Sequence, residues 1–189
     1  MKDLRYPIGE FEWEGEYTED VLASWLHDLE QLPANLRKAV TGLSEEQLDT
    51  PYRDGGWTIR QVVHHVADSH INAYTRFKLA LTEESPVIKP YAEDKWASLP
   101  DSQMAVEVSL QLLDSLHARL VSLLRSLSQE QLNTTFVHPE SGIVALKRNI
   151  GIYAWHGSHH LAHITSLCDR KAGNKRGWEK TKDKLSKHE

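Results

Sequence analysis

Apolar side chains recur at helical spacing in four long stretches of the chain, and the alternation typical of strands is nearly absent. The first stretch, EDVLASWLHDLEQLPANLRKAV, follows Thr18, a favourable N-cap residue, and ends at a glycine. Pro33 lies inside this stretch and is expected to kink the helix. The second stretch opens after YRDGGWT, with Thr58 or Asp54 near its cap, and extends to about Leu81. We therefore predict two helices in the first half of the chain.

The second half of the chain carries two further helical stretches. The third helix is predicted to start near Asp101, and the fourth to extend from about Leu146 to Asp169. Between helices two and three, TEESPVIKPYAEDKWASLP contains three prolines and predicts a long irregular connection, with Tyr91 and Trp96 packed over the bundle. HPESGIVALKRN predicts a turn or a small hairpin. The third helix is predicted to face the core with Met104, Val108, Leu112, Leu116, Leu120, Leu123 and Leu127.

Two short segments resemble each other, LSEEQLDTPY at 43–52 and LSQEQLNTTF at 127–136. Each follows a long helix, precedes a histidine-bearing one and predicts a serine-capped turn of helix. One interpretation is that the same capping chemistry is used twice. The other is a duplicated helix pair with pseudo-twofold symmetry, in which the second and fourth helices face each other. Four helices around one core predict an all-α four-helix bundle, in a single domain over residues 1–170.

Composition and charge exclude several classes of function. The formal net charge of −5 argues against nucleic acid as the main partner, and no apolar run approaches the length that spans a bilayer. The N-terminus, MKDLRYPIGEFEWEGEYTED, is acidic and aromatic, unlike a signal peptide. Cys168 is the only cysteine, which favours a reducing, cytoplasmic location. Residues 171–189 are interpreted as a polar, basic C-terminal tail.

The segment HGSHHLAH holds four of the chain's 11 histidines in eight positions. On a helix whose apolar face is centred near Ile150, His156 and His160 lean inward. Their i, i+4 spacing stacks the two imidazoles on one face. His163 is turned further from the apolar face, and His159 points most directly away from it. The inward pair can bind one metal ion if another part of the chain supplies a further ligand.

The second helix offers that ligand within GGWTIRQVVHHVADSH. His64 and His65 lie on opposite flanks of its core face, so periodicity alone does not choose between them. His65 shares a polar stripe with Ser69, Asn72 and Arg76. Such a stripe beside a core resembles a cavity wall, which favours His65 as the ligand.

Other polar residues are candidates for supporting roles. His70 falls near the centre of the core face and is interpreted as a hydrogen-bonded core histidine, with a metal ligand as the alternative. Asp68, one turn from His65, is a candidate for orienting a ligand imidazole, or a simple surface acid. Arg60 and Arg76 are candidates for holding an anionic substrate, with a surface role as the alternative.

PYRDGGWTIRQVVHHVADSH together with YAWHGSHHLAHI resembles the DinB-like superfamily, and most closely its YfiT branch, described as metal-dependent hydrolases. YPIGEF and RFKLALTEE also match that branch, so the resemblance covers about residues 5–170. It implies a homodimeric four-helix bundle that carries one divalent metal ion, zinc or nickel, on three histidines. The family's W-x7-H pattern falls on His65, and its H-x-x-x-H pair falls on His156 and His160. Where many relatives have Gly-Gln, this chain has Ala162 and His163, so His163 is either a support for a ligand or a solvent-facing residue.

Three neutral nitrogen ligands leave one coordination position open, as is typical of catalytic sites. A metal ion there lowers the pKa of a bound water to about 7 and makes it a nucleophile. The sequence therefore predicts a metal-dependent hydrolase acting on a small molecule. One alternative is a metal-dependent transferase that joins a low-molecular-weight thiol such as bacillithiol to an electrophile, an activity known among DinB-like relatives. A second alternative is a metal-binding or stress-response module without enzymatic activity.

Overall fold

The computed structural model describes residues 3–173, and four long helices dominate this part of the chain. Three single-turn helices and one turn of 3₁₀ helix lie between them. The long helices are α1 (Glu19–Val40), α3 (Ile59–Thr82), α5 (Val106–Arg125) and α7 (Leu146–Ala172). The short elements are α2 (Glu45–Leu48), α4 (Glu93–Trp96), α6 (Gln129–Leu132) and the 3₁₀ turn Pro100–Gln103.

The long helices form a four-helix bundle in which α1 and α3 are each packed against both α5 and α7. Apolar stripes from all four meet along the bundle axis, and their largest fully buried members include Leu29, Leu36, Phe77, Leu120 and Ile164. The predicted all-α bundle is confirmed. Because α3 lies directly beside α7, the two histidine-bearing helices are neighbours, and this contact creates the site.

Side-chain caps explain where the helices begin. The hydroxyl of Thr18 accepts a hydrogen bond from the backbone of Val21 at the start of α1. Thr58 and Gln61 form a reciprocal capping box at the start of α3, so Thr58 rather than Asp54 is the cap. The two similar segments adopt the same structure, because Ser44 with Gln47 and Ser128 with Gln131 also form capping boxes.

The predicted hairpin is present and fastens the long connection to the bundle. Strand β1 (Thr135–His138) pairs antiparallel with β2 (Gly142–Ala145). The backbone N–H of Ile88 donates to the oxygen of Val137 at 3.0 Å, and the Ile88 side chain is buried in the core. Tyr91 is half-buried against Trp96, but Trp96 itself is 39% exposed, so its predicted burial is wrong.

The core face of α5 differs from the prediction. The helix begins at Val106, so Met104 precedes it, and Val108 and Leu112 lie on its solvent side. Met104, Val108 and Leu112 are 48%, 47% and 42% exposed. The prediction followed the spacing of apolar residues and overlooked two polar ones, Ser109 and His117, that find partners inside the bundle. The buried stripe consists of Ser109, Leu110, Leu113, Leu116, His117, Leu120, Val121 and Leu124.

One end of the predicted helices needs a further correction. Helix α7 continues to Ala172, past the predicted end at Asp169. Helix α1 includes Pro33 and ends at Val40, just before the glycine at which the predicted stretch stops. Most of the predicted basic tail, 174–189, lies outside the described residues. None of the helices within residues 3–173 is long and apolar enough to cross a membrane.

Candidate metal centre

Three histidines from the two neighbouring helices converge at one point. His65 comes from α3, and His156 and His160 come from successive turns of α7. The ring centroids lie 5.3 Å (His65–His156), 4.7 Å (His65–His160) and 4.5 Å (His156–His160) apart. One nitrogen from each ring lies within 4.8 Å of the other two. The structure thus brings together the three residues predicted as ligands.

The separation of these nitrogens fits a metal ion. Nε2 of His65 and Nε2 of His156 are 3.3 Å apart. A tetrahedral ion with metal–nitrogen bonds of about 2.1 Å holds its ligand nitrogens about 3.4 Å apart. An all-imidazole donor set suits zinc, nickel, copper and iron, whereas magnesium and calcium prefer oxygen. The cluster has the donors and the spacing of a three-histidine transition-metal site.

Burial keeps these imidazoles neutral, as metal ligands must be. Desolvation lowers the pKa of His65 to about 4. It also lowers the pKa of His156 and of His160 well below the ordinary value, with smaller contributions from the neighbouring histidines. At neutral pH each ring therefore has one nitrogen with a free lone pair.

The cluster lies beside a pocket of about 340 Å³ that opens to solvent. Trp57 packs against His65 with ring centroids 4.5 Å apart, and Tyr52 stacks on His163 at 4.0 Å. Two arginines, Arg5 and Arg53, also line the pocket. Other lining residues are Tyr6, Gly55, Gly56, Glu93, Asp94 and Trp155, together with the histidines of α7. Such a pocket holds a small molecule next to the three histidines.

His159 does not point into solvent, as predicted; it is only 7% exposed. Its ring stacks on Trp155 with centroids 4.6 Å apart and lies 5.8 Å from the ring of Tyr6. Its Nδ1 is buried without a hydrogen-bond partner among the described residues. The prediction was wrong because it treated α7 as having one covered face.

The N-terminal segment covers the second face of α7. The backbone oxygens of Arg5 and Gly9 accept hydrogen bonds from His163 at 3.0 Å and from Trp155 at 3.2 Å. Farther along, Arg148 donates to the oxygen of Trp13. His163 is therefore buried, and its Nδ1 lies 3.3 Å from Nδ1 of His160. The structure places His163 behind a predicted ligand and not in solvent.

The other residue considered as the first ligand, His64, points away from the cluster. Its Nε2–H donates to the backbone oxygen of Met104 at 3.0 Å, and its Nδ1 accepts from the hydroxyl of Ser109 at 2.7 Å. Burial is the largest cause that lowers the pKa of His64, so its ring is neutral. Both nitrogens are used between α3 and α5, which gives His64 a structural role.

Arg60 is also committed elsewhere and does not face the pocket. Its guanidinium binds Asp49 at 2.7 Å, donates to the oxygen of Met104 at 3.1 Å and pairs with Glu45. The side chain is buried and holds α2 against α3. Both roles considered for Arg60, binding an anionic substrate and a surface position, are therefore wrong, because the side chain is buried in these contacts.

The contacts of Arg76 and Asp68 neither establish nor exclude the roles considered for them. Arg76 donates to the hydroxyl of Tyr153 at 3.1 Å, and the Tyr153 ring lies 5.7 Å from that of His156. The carboxylate of Asp68 makes no hydrogen bond to an imidazole within residues 3–173, so the structure does not show it orienting His65. Burial raises the pKa of Asp68 to about 6, and the charge of Asp101 adds to this.

Three residues of the site's surroundings were not identified from the sequence. Tyr52 and Trp57 belong to the quoted motif PYRDGGWT, so their position before α3 was an available signal. His117 lies on α5 and reaches the cluster through His70, with its Nε2 3.0 Å from Nδ1 of His70. No local pattern marks His117, because the connection depends on how α5 packs. His70 is a hydrogen-bonded core histidine, in line with its preferred interpretation.

Comparison with known proteins identifies the family. A model of the DinB superfamily matches residues 28–164 of the chain. The chain belongs to the DinB superfamily. A relative from Bacillus mycoides is 61% identical over 170 residues, covering 90% of this chain and 98% of the relative. Another from Oceanobacillus iheyensis is 59% identical, covering 88% and 97%. Both relatives carry provisional names as metal-dependent hydrolases.

Two solved structures are similar in fold to this chain. YfiT from Bacillus subtilis has a TM-score of 0.87 and 49% identity, covering 90% of this chain and 98% of YfiT. It is described, provisionally, as a metal-dependent hydrolase with an unusual four-helix-bundle topology. A second four-helix-bundle protein, TT2238, has a TM-score of 0.53 and 23% identity, which supports the fold alone. The resemblance to the YfiT branch is confirmed.

Proposed function

We propose that this chain is a metal-dependent hydrolase that holds one divalent ion, zinc or nickel, on His65, His156 and His160. The observation that carries the proposal is the convergence of three neutral imidazoles beside an open pocket, with two Nε2 atoms 3.3 Å apart. The provisional names of the bacillus relatives point to the same activity. When bound, such an ion lowers the pKa of a coordinated water to about 7 and makes it a nucleophile.

The protein's own groups hold the ligands and shape the substrate site. Trp57 and Tyr52 pack against His65 and His163, which restricts ring rotation at the pocket wall. The hydroxyl of Tyr153 accepts a hydrogen bond from Arg76, and the Tyr153 ring lies 5.7 Å from that of His156. A volume of about 340 Å³ is small, so we expect a small-molecule substrate.

Positive charge in the pocket favours a second candidate, transfer of an anionic low-molecular-weight thiol to an electrophile. Arg5 and Arg53 line the same pocket as the three histidines, and in this second candidate they hold a carboxylate of the thiol. Glu93 and Asp94 also line the pocket and offset that charge, so the preference applies only to a ligand with a localised negative group. A thiol such as bacillithiol has the required combination of anionic group and sulfur.

Elemental analysis of purified protein tests the metal site. We expect one zinc or nickel ion per wild-type chain and less than a tenth of that content in His65→Ala, His156→Ala and His160→Ala. The matched control is His64→Ala, which removes an adjacent buried histidine whose two hydrogen bonds are made elsewhere. Metal loss in the control but not in His65→Ala would refute the assignment.

Turnover assays on the fully metal-loaded protein separate the functions. Ester and amide substrates test the hydrolase, and bacillithiol with an alkyl electrophile tests the transferase. We expect metal-dependent turnover of the first set, abolished in His156→Ala. Thiol consumption without ester or amide cleavage would instead establish the second candidate. If neither set is turned over, a metal-binding module is favoured over both.

A further inference from the structure

A line of imidazoles leads from the predicted ligand His156 into the core of the bundle. Nδ1 of His156 lies 3.3 Å from Nε2 of His70 on α3. Nδ1 of His70 lies 3.0 Å from Nε2 of His117 on α5. Nδ1 of His117 lies 2.6 Å from the backbone oxygen of Leu29 on α1. The line thus joins all four long helices and ends on a backbone carbonyl group.

The carbonyl of Leu29 is available because of Pro33. In an α-helix the oxygen of residue 29 accepts a hydrogen bond from the N–H of residue 33. Proline has no N–H, so that bond is missing inside α1. Leu29 is fully buried, and a buried carbonyl without a partner is costly. His117 supplies the missing donor from the neighbouring helix.

This carbonyl sets the direction of every hydrogen bond in the line. A carbonyl oxygen only accepts, so Nδ1 of His117 carries a proton. A neutral imidazole has a single N–H, so Nε2 of His117 accepts from Nδ1–H of His70. By the same step, Nε2 of His70 accepts from Nδ1–H of His156. Nε2 of His156 then carries a lone pair and no proton; this atom faces His65 and lies 3.4 Å from the hydroxyl of Ser69.

All three rings are neutral, as the directional argument requires. His70 is fully buried and His117 is 2% exposed, so no solvent is available to stabilise a charged ring. No carboxylate hydrogen-bonds to any of the three within residues 3–173.

We propose that the Leu29 carbonyl, His117 and His70 are positioning groups that hold His156 as its Nδ1–H tautomer and so present Nε2 to the metal. The proposal rests on the proposed metal-dependent function, because it concerns one of the three ligands. His117 acts at a distance, through His70, and touches neither the predicted metal nor the pocket of about 340 Å³. A histidine line that only satisfied buried polar atoms would stabilise the fold without affecting metal affinity.

The tautomers are read directly from long-range ¹H–¹⁵N correlation spectra of metal-free, ¹⁵N-labelled full-length protein at pH 7.5. We expect His70, His117 and His156 to be Nδ1–H tautomers in the wild type. We expect His156 to shift to a mixture or to the Nε2–H tautomer in His117→Phe, which keeps a ring but ends the line. An Nε2–H tautomer at His156 in wild-type protein would overturn the proposal, whether or not any variant folds.

Metal affinity supplies the second measurement. Loss of a group that orients a ligand weakens metal binding by about 10–100-fold. We expect that increase in the Kd for zinc, from chelator competition, in His117→Phe. His117→Gln should restore most of the affinity, because its amide can donate to Leu29 and accept from His70. The control is His64→Phe, which removes a buried histidine with two hydrogen bonds outside the line and should leave the Kd unchanged.

The two measurements separate this proposal from the proposed function. Equal zinc affinity in His117→Phe and His64→Phe would overturn the positioning role while leaving the metal site intact. Absence of zinc or nickel binding by wild-type protein would refute the proposed function. The spectra of metal-free protein would still decide whether the line holds His156 in the proposed tautomer.

Discussion

The backbone oxygen of Arg5 lies 3.0 Å from Nε2 of His163, across 158 positions of sequence. The carbonyl accepts, so Nε2 of His163 carries the proton and its Nδ1 is an acceptor. That acceptor lies 3.3 Å from Nδ1 of His160, which leaves Nε2 of His160 with its lone pair. The N-terminal segment therefore contributes to the geometry of a predicted ligand on the last long helix.

This contact predicts that His163→Phe weakens zinc binding. Phenylalanine keeps the stacking on Tyr52 but cannot accept from His160. We expect the Kd to rise by about 10-fold or more, measured by chelator competition. The matched control is His159→Phe, because the neighbouring His159 contacts aromatic rings and its Nδ1 bonds to none of the described residues. Equal effects of the two variants would contradict the role of His163.

The hydrogen bond from Arg76 to Tyr153 predicts an effect on substrate binding and not on metal content. The cationic guanidinium orients the hydroxyl of Tyr153, a buried residue whose ring lies 5.7 Å from that of His156. Arg76→Ala should raise KM or lower kcat/KM while elemental analysis shows an unchanged metal content. Arg119→Ala is the control, since exposed Arg119 only packs on the ring of Tyr74. If both variants keep wild-type kinetics, Arg76 has no part in substrate binding.

Close packing of α1 on α7 predicts that Gly157→Ala destabilises the fold. Alanine in place of glycine normally stabilises a helix by about 0.5–1 kcal/mol. Here, however, an added Cβ overlaps the side chain of Leu32, which is buried and would have to shift within the core. We expect a loss of about 1–3 kcal/mol in the free energy of unfolding, measured with urea.

Gly173→Ala provides the comparison for that measurement. A Cβ at Gly173 would meet only backbone oxygens, the nearest being that of Asp169 at 3.6 Å. Its effect should stay within about 0.5 kcal/mol. A Gly157→Ala protein as stable as the wild type would show that α1 and α7 are farther apart than described.

The helices could be predicted from the sequence because their first residues are set by side-chain caps that lie close by in the chain. Thr18 and Thr58 each cap a backbone N–H three residues further along the chain, so both partners are visible in a short segment of sequence. The pairing of His156 with His160 also follows from helical spacing alone. The choice of His65 over His64 required a polar stripe and a family motif, because periodicity treats the two residues alike.

The remaining features depend on contacts between distant parts of the chain. His159 and His163 are buried because the N-terminal segment lies along α7. The spacing of apolar residues within α7 carries no information about that contact. The role of His117 depends on a proline in another helix. The error in the core face of α5 has a related cause, since the buried hydroxyl of Ser109 donates a hydrogen bond to His64 across the helix interface.

The buried imidazoles predict that metal-free protein loses stability in mild acid. Burial lowers the pKa of His65 and of His159 to about 4, against about 6.5 in the unfolded chain. The unfolded state thus binds more protons between pH 6.5 and 4, so the free energy of unfolding falls as the pH falls through that range. Asp68 acts in the opposite direction, because its pKa is raised to about 6 and the folded state takes up that proton first.

The lowered pKa values of several imidazoles outweigh the raised pKa of one carboxyl group, so the free energy of unfolding still falls as the pH falls. The pKa values of His70, His117, His156 and His160 are lowered by the same desolvation. We expect urea midpoints of metal-free protein to decrease steadily from pH 7.5 to 4.5, with an uptake of about two or more protons on unfolding near pH 5.5. His159→Phe should reduce that uptake by up to one proton. A midpoint independent of pH between 7 and 5 would show that these histidines are hydrated and charged in the folded protein.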